Sequence, residues 1–190
     1  NGDVLVLELV AAPKTSGNRV VVSGMTCGAG VGSSTESICG IDDRVPSTDP
    51  REGRLALGCT GWMISPDLML TAGHCSSNTR IIEFNVPPST RSGGLVHPHP
   101  DDQYPYVELS GLSAGIGSDW RVCRVGVNSN HGLLPTQRNG NQWFRLGTVP
   151  SSTSGSTITI TGYGTGNGVQ NQAQTTHTGP LAQIGATSLC

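Results

Sequence analysis

Leu70-Thr71-Ala72-Gly73-His74-Cys75, preceded by Cys59-Thr60-Gly61-Trp62, is the stretch on which the reading of the fold turns. Arg54 to Ile64 reads as a strand, Ser65-Pro66-Asp67 as a turn, and Leu68 to Thr71 as a second strand. The hairpin carries His74 to a strand end, and Cys59 and Cys75 bracket it. Ala72 and Gly73 are small enough to let backbone pack closely beneath an imidazole. A histidine fixed in that way suits a general base, because imidazole gains and loses its proton near neutral pH.

Outward from this hairpin the chain keeps the same character. Short apolar runs are broken by turns, and the 27 glycines and 12 prolines are scattered between them as punctuation. Thr157-Ile158-Thr159-Ile160-Thr161-Gly162-Tyr163-Gly164 alternates at the strand period of two, after a run of strand character beginning near Trp143 and a turn at residues 151–155. No window sustains a helical period, so an all-β protein with little helix is expected. Residues 1–37 read as an extension with two short strands, Val4–Val10 and Arg19–Val22, and residues 28–34 as a glycine-rich connector.

Composition excludes several classes of function. Charged residues are 13% of the 190, the net charge is −2, and no run of Lys or Arg occurs, so a nucleic-acid partner is not expected. Val4 to Ala12 is too short to span a bilayer, and no membrane partner is expected. Six cysteines, an even number in a weakly charged chain, suit disulfides and an oxidising compartment, and no Cys-x-x-Cys pair points to zinc. Secretion is the expectation that follows.

Thr71-Ala72-Gly73-His74-Cys75 after a Gly-x-Trp strand resembles the histidine segment of chymotrypsin-like (trypsin-type) serine proteases. Cys39-Gly40-Ile41-Asp42-Asp43-Arg44-Val45 upstream and Gly155 to Gly164 downstream are similar to bacterial glutamyl endopeptidases and their secreted trypsin-like relatives. The resemblance covers roughly residues 39–190. It implies two antiparallel β-barrels: residues 38–140 as the first, residues 141–190 as the start of a second that is only partly covered. It also implies a disulfide between Cys59 and Cys75, whose separation of 16 residues fits the family.

The resemblance further implies a serine endopeptidase in which His74 is the general base and an aspartate orients it. Asp119 lies 45 residues after His74 and opens a run with apolar Trp120, Val122 and Val125, as the family's aspartate does. Asp101 and Asp102 are its rivals, set among Pro98, Pro100 and Pro105 in an expected surface loop. No Gly-Asp-Ser-Gly-Gly type of segment is present. Ser92-Gly93-Gly94 copies only its second half, and the family order of His, Asp, Ser would be broken there. The nucleophile is therefore expected beyond Cys190, in the same polypeptide or in a separate chain, and these 190 residues alone are expected to hydrolyse nothing.

The remaining residues weigh against further chemistry. His97 and His99 alternate with prolines and are expected in a solvated loop rather than on a metal; His131 and His177 are expected to be exposed. Asp42-Asp43-Arg44 reads as a charged turn. Cys27 with Cys39, and Cys123 with Cys190, are candidate disulfides whose connectivity six cysteines leave open. Neither a metal nor an organic cofactor is expected, and a polypeptide is the expected substrate. Preference for Glu or for basic residues at the cleavage point stays open, and a non-catalytic binding protein or inactive homologue on the same fold is the rival reading.

Overall fold

The structure is a computed structural model. It describes residues 44–180 apart from 56–57, 76–77, 91, 93, 115–117, 148–156, 164, 167–168 and 171–172. The two N-terminal strands, the glycine-rich connector, Asp42, Asp43, Cys27, Cys39 and Cys190 lie outside the described residues.

Six antiparallel strands close into a barrel: β2 (Glu52–Leu55), β3 (Thr60–Met63), β4 (Leu68–Thr71), β5 (Ile81–Glu83), β6 (Gln103–Ser113) and β7 (Asp119–Val125). The hydrogen-bonded order is β2-β3-β4-β7-β6-β5, and β5 returns to pair with β2. Closure leaves none of these strands with an unpaired edge. The interior is filled by Leu55, Met63, Met69, Ile82, Tyr104, Tyr106, Cys123 and Val125, all buried, while Trp62 is buried on the outer face toward the second sheet. Inward positions on β7 recur at every second residue, which is how Cys123 and Val125 come to share the core.

A second sheet pairs β1 (Val45–Pro46), β11 (Thr175–Pro180) and β8 (Thr157–Gly162) in that spatial order, and β9 (Thr165–Gly166) pairs with β10 (Val169–Gln170). Helix is confined, among the described residues, to a 3₁₀ turn at Pro100–Asp102 and one turn, α1 (Pro135–Arg138). The chain is thus all-β, with one closed barrel and a second sheet beside it.

Three details differ from the sequence reading. Arg54 to Ile64 is two strands rather than one, because the chain reverses through Gly58, whose φ of 87° is open mainly to glycine, and Gly58 N–H donates to the Leu55 carbonyl at 2.8 Å. Trp143 to Leu146 forms no strand; Phe144 is buried in the first barrel's core, and its N–H donates to the Met63 carbonyl at 2.8 Å. Val45–Pro46 pairs with β11 of the second sheet instead of joining the first barrel.

Polar groups bind the barrel to the second sheet. Trp62 Nε1 donates to the Thr161 carbonyl at 3.3 Å, and the Tyr163 N–H donates to Thr60 Oγ1 at 2.9 Å. Gln174 joins from the other side, accepting the Asp49 N–H at 2.5 Å and donating to the Asp49 carbonyl at 2.9 Å. Beside this junction, Glu52 is 2% exposed and its Oε2 is without a hydrogen-bond partner. Burial, reinforced by Asp49 and opposed by Arg51, pushes its carboxyl up to about 8.

Candidate active site

His74 stands just after β4, whose end is fixed on two sides. Thr71 Oγ1 donates to the Thr60 carbonyl of β3 at 2.8 Å, and Thr71 itself pairs with Arg121 of β7. Cys75, one residue beyond His74, is joined to Cys59 by a disulfide with the two Cα atoms 6.1 Å apart. A bridge closing a loop of this length is worth about 3 kcal/mol in the chain-entropy account. Here it ties the histidine segment to the start of β3.

Asp119 is the first residue of β7 and meets His74 with both carboxylate oxygens. Oδ1 accepts the His74 backbone N–H at 2.8 Å, and Oδ2 lies 2.5 Å from Nδ1 of the ring. The ring nitrogen facing a carboxylate carries the proton, so this pairing selects the Nδ1–H tautomer and leaves Nε2 with its lone pair. The imidazole is 40% exposed and Asp119 20%. The pair therefore has a covered side, where it is fixed, and an open side. Among the described residues no hydrogen bond reaches Nε2.

Close packing beneath the ring depends on Gly73. A Cβ at that position would lie 1.7 Å from the Leu112 carbonyl oxygen of β6 and 2.9 Å from Asp119 Oδ1. Only glycine lets the turn approach β6 this closely while Asp119 reaches over it. Cys59, His74 and Cys75 are near one another, but the two sulfurs are consumed in the disulfide and offer no thiolate to a metal.

The other sequence candidates are placed elsewhere. Ser92 lies in a turn closed between Thr90 and Gly94, its hydroxyl 3.1 Å from that of Thr90. Asp101 accepts from Asn130 Nδ2 at 2.8 Å and Asp102 from Asn85 Nδ2 at 3.0 Å, so both carboxylates are committed to the 3₁₀ turn. His97 Nδ1 lies 2.5 Å from Glu83 Oε1; the buried Glu83 also accepts from Arg54 Nε at 3.0 Å. His99 is 3.4 Å from Asp101. These two histidines belong to no cluster of three ligands among the described residues.

Two expectations need correction. His131 is half-buried rather than exposed, packed edge-on to Tyr104 and hydrogen-bonded through Nε2 to the Asp101 carbonyl at 3.0 Å. His177 is half-buried in β11, opposite Ile160. Cys123 is a buried thiol in the barrel core, bonded to no other cysteine among the described residues, and the Cys190 expected as its partner lies outside them. Burial, with the Glu108 carboxylate adding to it, pushes that thiol up to about 11, where it is inert. The inward parity of Asp119, Arg121, Cys123 and Val125 was the signal that would have placed it.

A pair missed in the sequence also borders His74. Glu108 of β6 and Arg121 of β7 form an ion pair, and Arg121 Nη2 donates to the Gly73 carbonyl at 2.8 Å.

Comparison with known proteins agrees with this geometry. The family model for trypsin matches residues 38–185, which takes in the barrel, the His74–Asp119 pair and the second sheet. A glutamyl endopeptidase of Bacillus licheniformis is 30% identical over 161 residues, covering 78% of this chain and 48% of its own length. The chain thus spans about half the length of that curated relative. No solved structure matches. A family match running through both sheets, together with a histidine and an aspartate doubly bonded at its centre, shows that this chain belongs to the trypsin family of serine proteases.

Proposed function

We propose that this chain supplies the base and its orienting carboxylate to an exported serine endopeptidase. The observation that carries the reading is the two-point bond of Asp119 to His74, one oxygen on the backbone N–H and one on Nδ1. The first fixes where the histidine sits and the second fixes its tautomer, so Nε2 presents a lone pair on the exposed side. There it takes the proton from a serine hydroxyl as the oxygen attacks a peptide carbonyl, and returns it to the leaving amine. Asp119 stabilises the imidazolium formed in between and stays ionised. An acyl-enzyme follows, which water hydrolyses after the same proton path.

The serine belongs to a segment outside these 190 residues, since no Gly-x-Ser-Gly run occurs among them. That segment would also supply most of the oxyanion hole and the walls of the specificity pocket. A polypeptide is the substrate. Because the Bacillus licheniformis relative is a glutamyl endopeptidase, peptides cut after Glu are the first to offer, beside peptides cut after basic residues. Export is supported by the Cys59–Cys75 disulfide, a bond that persists in oxidising compartments. No helix among the described residues is long and apolar enough to cross a membrane.

The test is active-site labelling of the whole protein. A serine-directed phosphonate is expected to modify one serine outside residues 1–190, and His74→Ala is expected to abolish both labelling and peptide hydrolysis. Labelling at Ser92, or unchanged turnover without His74, would overturn the reading in favour of a binding protein or inactive homologue.

A further inference from the structure

The Gly73–His74 peptide group is gripped at both of its poles by one strand. Its N–H, on His74, donates to Asp119 Oδ1 at 2.8 Å, and its carbonyl, on Gly73, accepts from Arg121 Nη2 at 2.8 Å. In a trans peptide these two groups point in opposite directions from a rigid plane. Asp119 and Arg121 are two residues apart on β7 and so project from the same face. They meet that plane from its two ends.

Arg121 is itself held. Its Nη1 forms the ion pair with Glu108, so the guanidinium spans two acceptors, the Glu108 carboxylate and the Gly73 carbonyl. Arg121 is 18% exposed and Glu108 20%, which leaves water little room to replace either bond. The register of β6 makes the arrangement possible. A bulge between Glu108 and Ser110 places Glu108 opposite Cys123 and Gly111 opposite Arg121. A Cβ on Gly111 would lie 2.6 Å from the Trp120 carbonyl oxygen and 3.1 Å from Arg121 Cβ, so the site across from Arg121 holds no side chain. Glu108, the diagonal neighbour on the same face, reaches the guanidinium instead.

From this juxtaposition we infer that Arg121, anchored by Glu108, is a positioning residue for His74: it fixes the plane of the peptide from which the histidine projects. The inference rests on the protease reading above and extends it from the ring to the backbone that carries the ring. Asp119 alone fixes one end of the peptide and the ring's Nδ1, and leaves the Gly73 carbonyl free to swing. With Arg121 in place the peptide cannot rotate without breaking a charge-assisted bond in a poorly hydrated site. Neither Arg121 nor Glu108 touches the reacting atoms.

The test uses the full-length protein and two variants. In the paired variant Glu108→Gln with Arg121→Met, both charges are removed together, so no buried charge is stranded. Its His74 amide is expected to exchange with deuterium at least about tenfold faster, while core amides such as that of Ile82 keep their protection. Its kcat is expected to fall by about tenfold to a hundredfold with KM within about twofold, the mark of a misplaced base rather than lost binding. Arg121→Lys, which keeps the charge but lacks the two-armed guanidinium, is expected to lie between parent and paired variant on both scales. A folded paired variant with His74 exchange and kcat within about twofold of the parent would overturn the inference. So would an Arg121→Lys variant, folded by circular dichroism, that loses no less than the paired one. The exchange measurement does not depend on turnover. If the parent protein neither cleaves peptide nor takes the phosphonate, the protease reading fails while exchange at His74 still decides the clamp.

Discussion

Glu52 shows how far a single side chain can be displaced from its ordinary behaviour without taking part in chemistry. Its carboxyl is 2% exposed, one oxygen is unpartnered, and its ionisation is pushed from 4.5 up to about 8. The carboxyl is therefore protonated in the native protein at neutral pH and ionised in the unfolded chain. Between about 4.5 and about 8 the unfolded state binds fewer protons than the native one, so Glu52 makes stability fall as pH rises through that window. Above it the loss is complete. Glu52→Gln, which mimics the protonated form, is expected to raise the melting temperature at about pH 8 by several degrees and change little at about pH 5. Thermal melts at the two pH values check this; an equal pH dependence in both proteins would refute it. The Tyr163 hydroxyl is also pushed up, first by burial and then by Glu52, and its own loss of stability with rising pH lies in the alkaline range, outside that window.

At the scale of elements, β7 organises the site. Its N-terminal residue bonds His74, its third clamps the peptide beneath, and its fifth and seventh fill the core. One alternating strand therefore joins the chemistry to the hydrophobic interior, and the close turn at Gly73, just after β4, is where His74 meets Asp119. Gly73→Ala would place a methyl against the Leu112 carbonyl, a backbone atom that cannot step aside as a side chain would. The expected cost is about 1–3 kcal/mol of stability, with hydrolysis reduced by roughly tenfold or more, measured by denaturant unfolding and by kcat. A variant as stable and as active as the parent would show that the close approach is not required.

The same strand separates what the sequence disclosed from what it concealed. His74 was legible from its hairpin and the small-residue turn before it, and Asp119 only through the resemblance to trypsin-type proteases, which implies an aspartate at about this separation opening a strand. The contact of Glu108 with Arg121 was not legible, because it depends on a one-residue bulge that sets the pairing of β6 with β7. Residue spacing cannot reveal such a slip. Phe144 was misread for a related reason: an apolar pair flanked by polar residues looks like a strand start, and only tertiary packing shows it plugging the first barrel.

At the scale of the whole molecule, a closed barrel bears the histidine and aspartate on one rim, and a second sheet is bonded to it through Trp62, Tyr163 and Gln174. Turn punctuation and strand-period runs were enough to expect an all-β chain, and the resemblance to trypsin-type proteases is what implied two parts. The crossing of Val45–Pro46 into the second sheet was beyond local reading, since two residues carry no periodicity. The central claim is that Asp119 makes His74 a base by fixing its tautomer, and replacing one carboxylate oxygen tests it most directly. In the full-length protein, Asp119→Asn keeps the side chain's shape but offers an amide to Nδ1. By the Ser-His-Asp template kcat is expected to fall about ten-thousandfold at neutral pH, with the melting temperature little changed. A kcat within about tenfold of the parent would contradict the account.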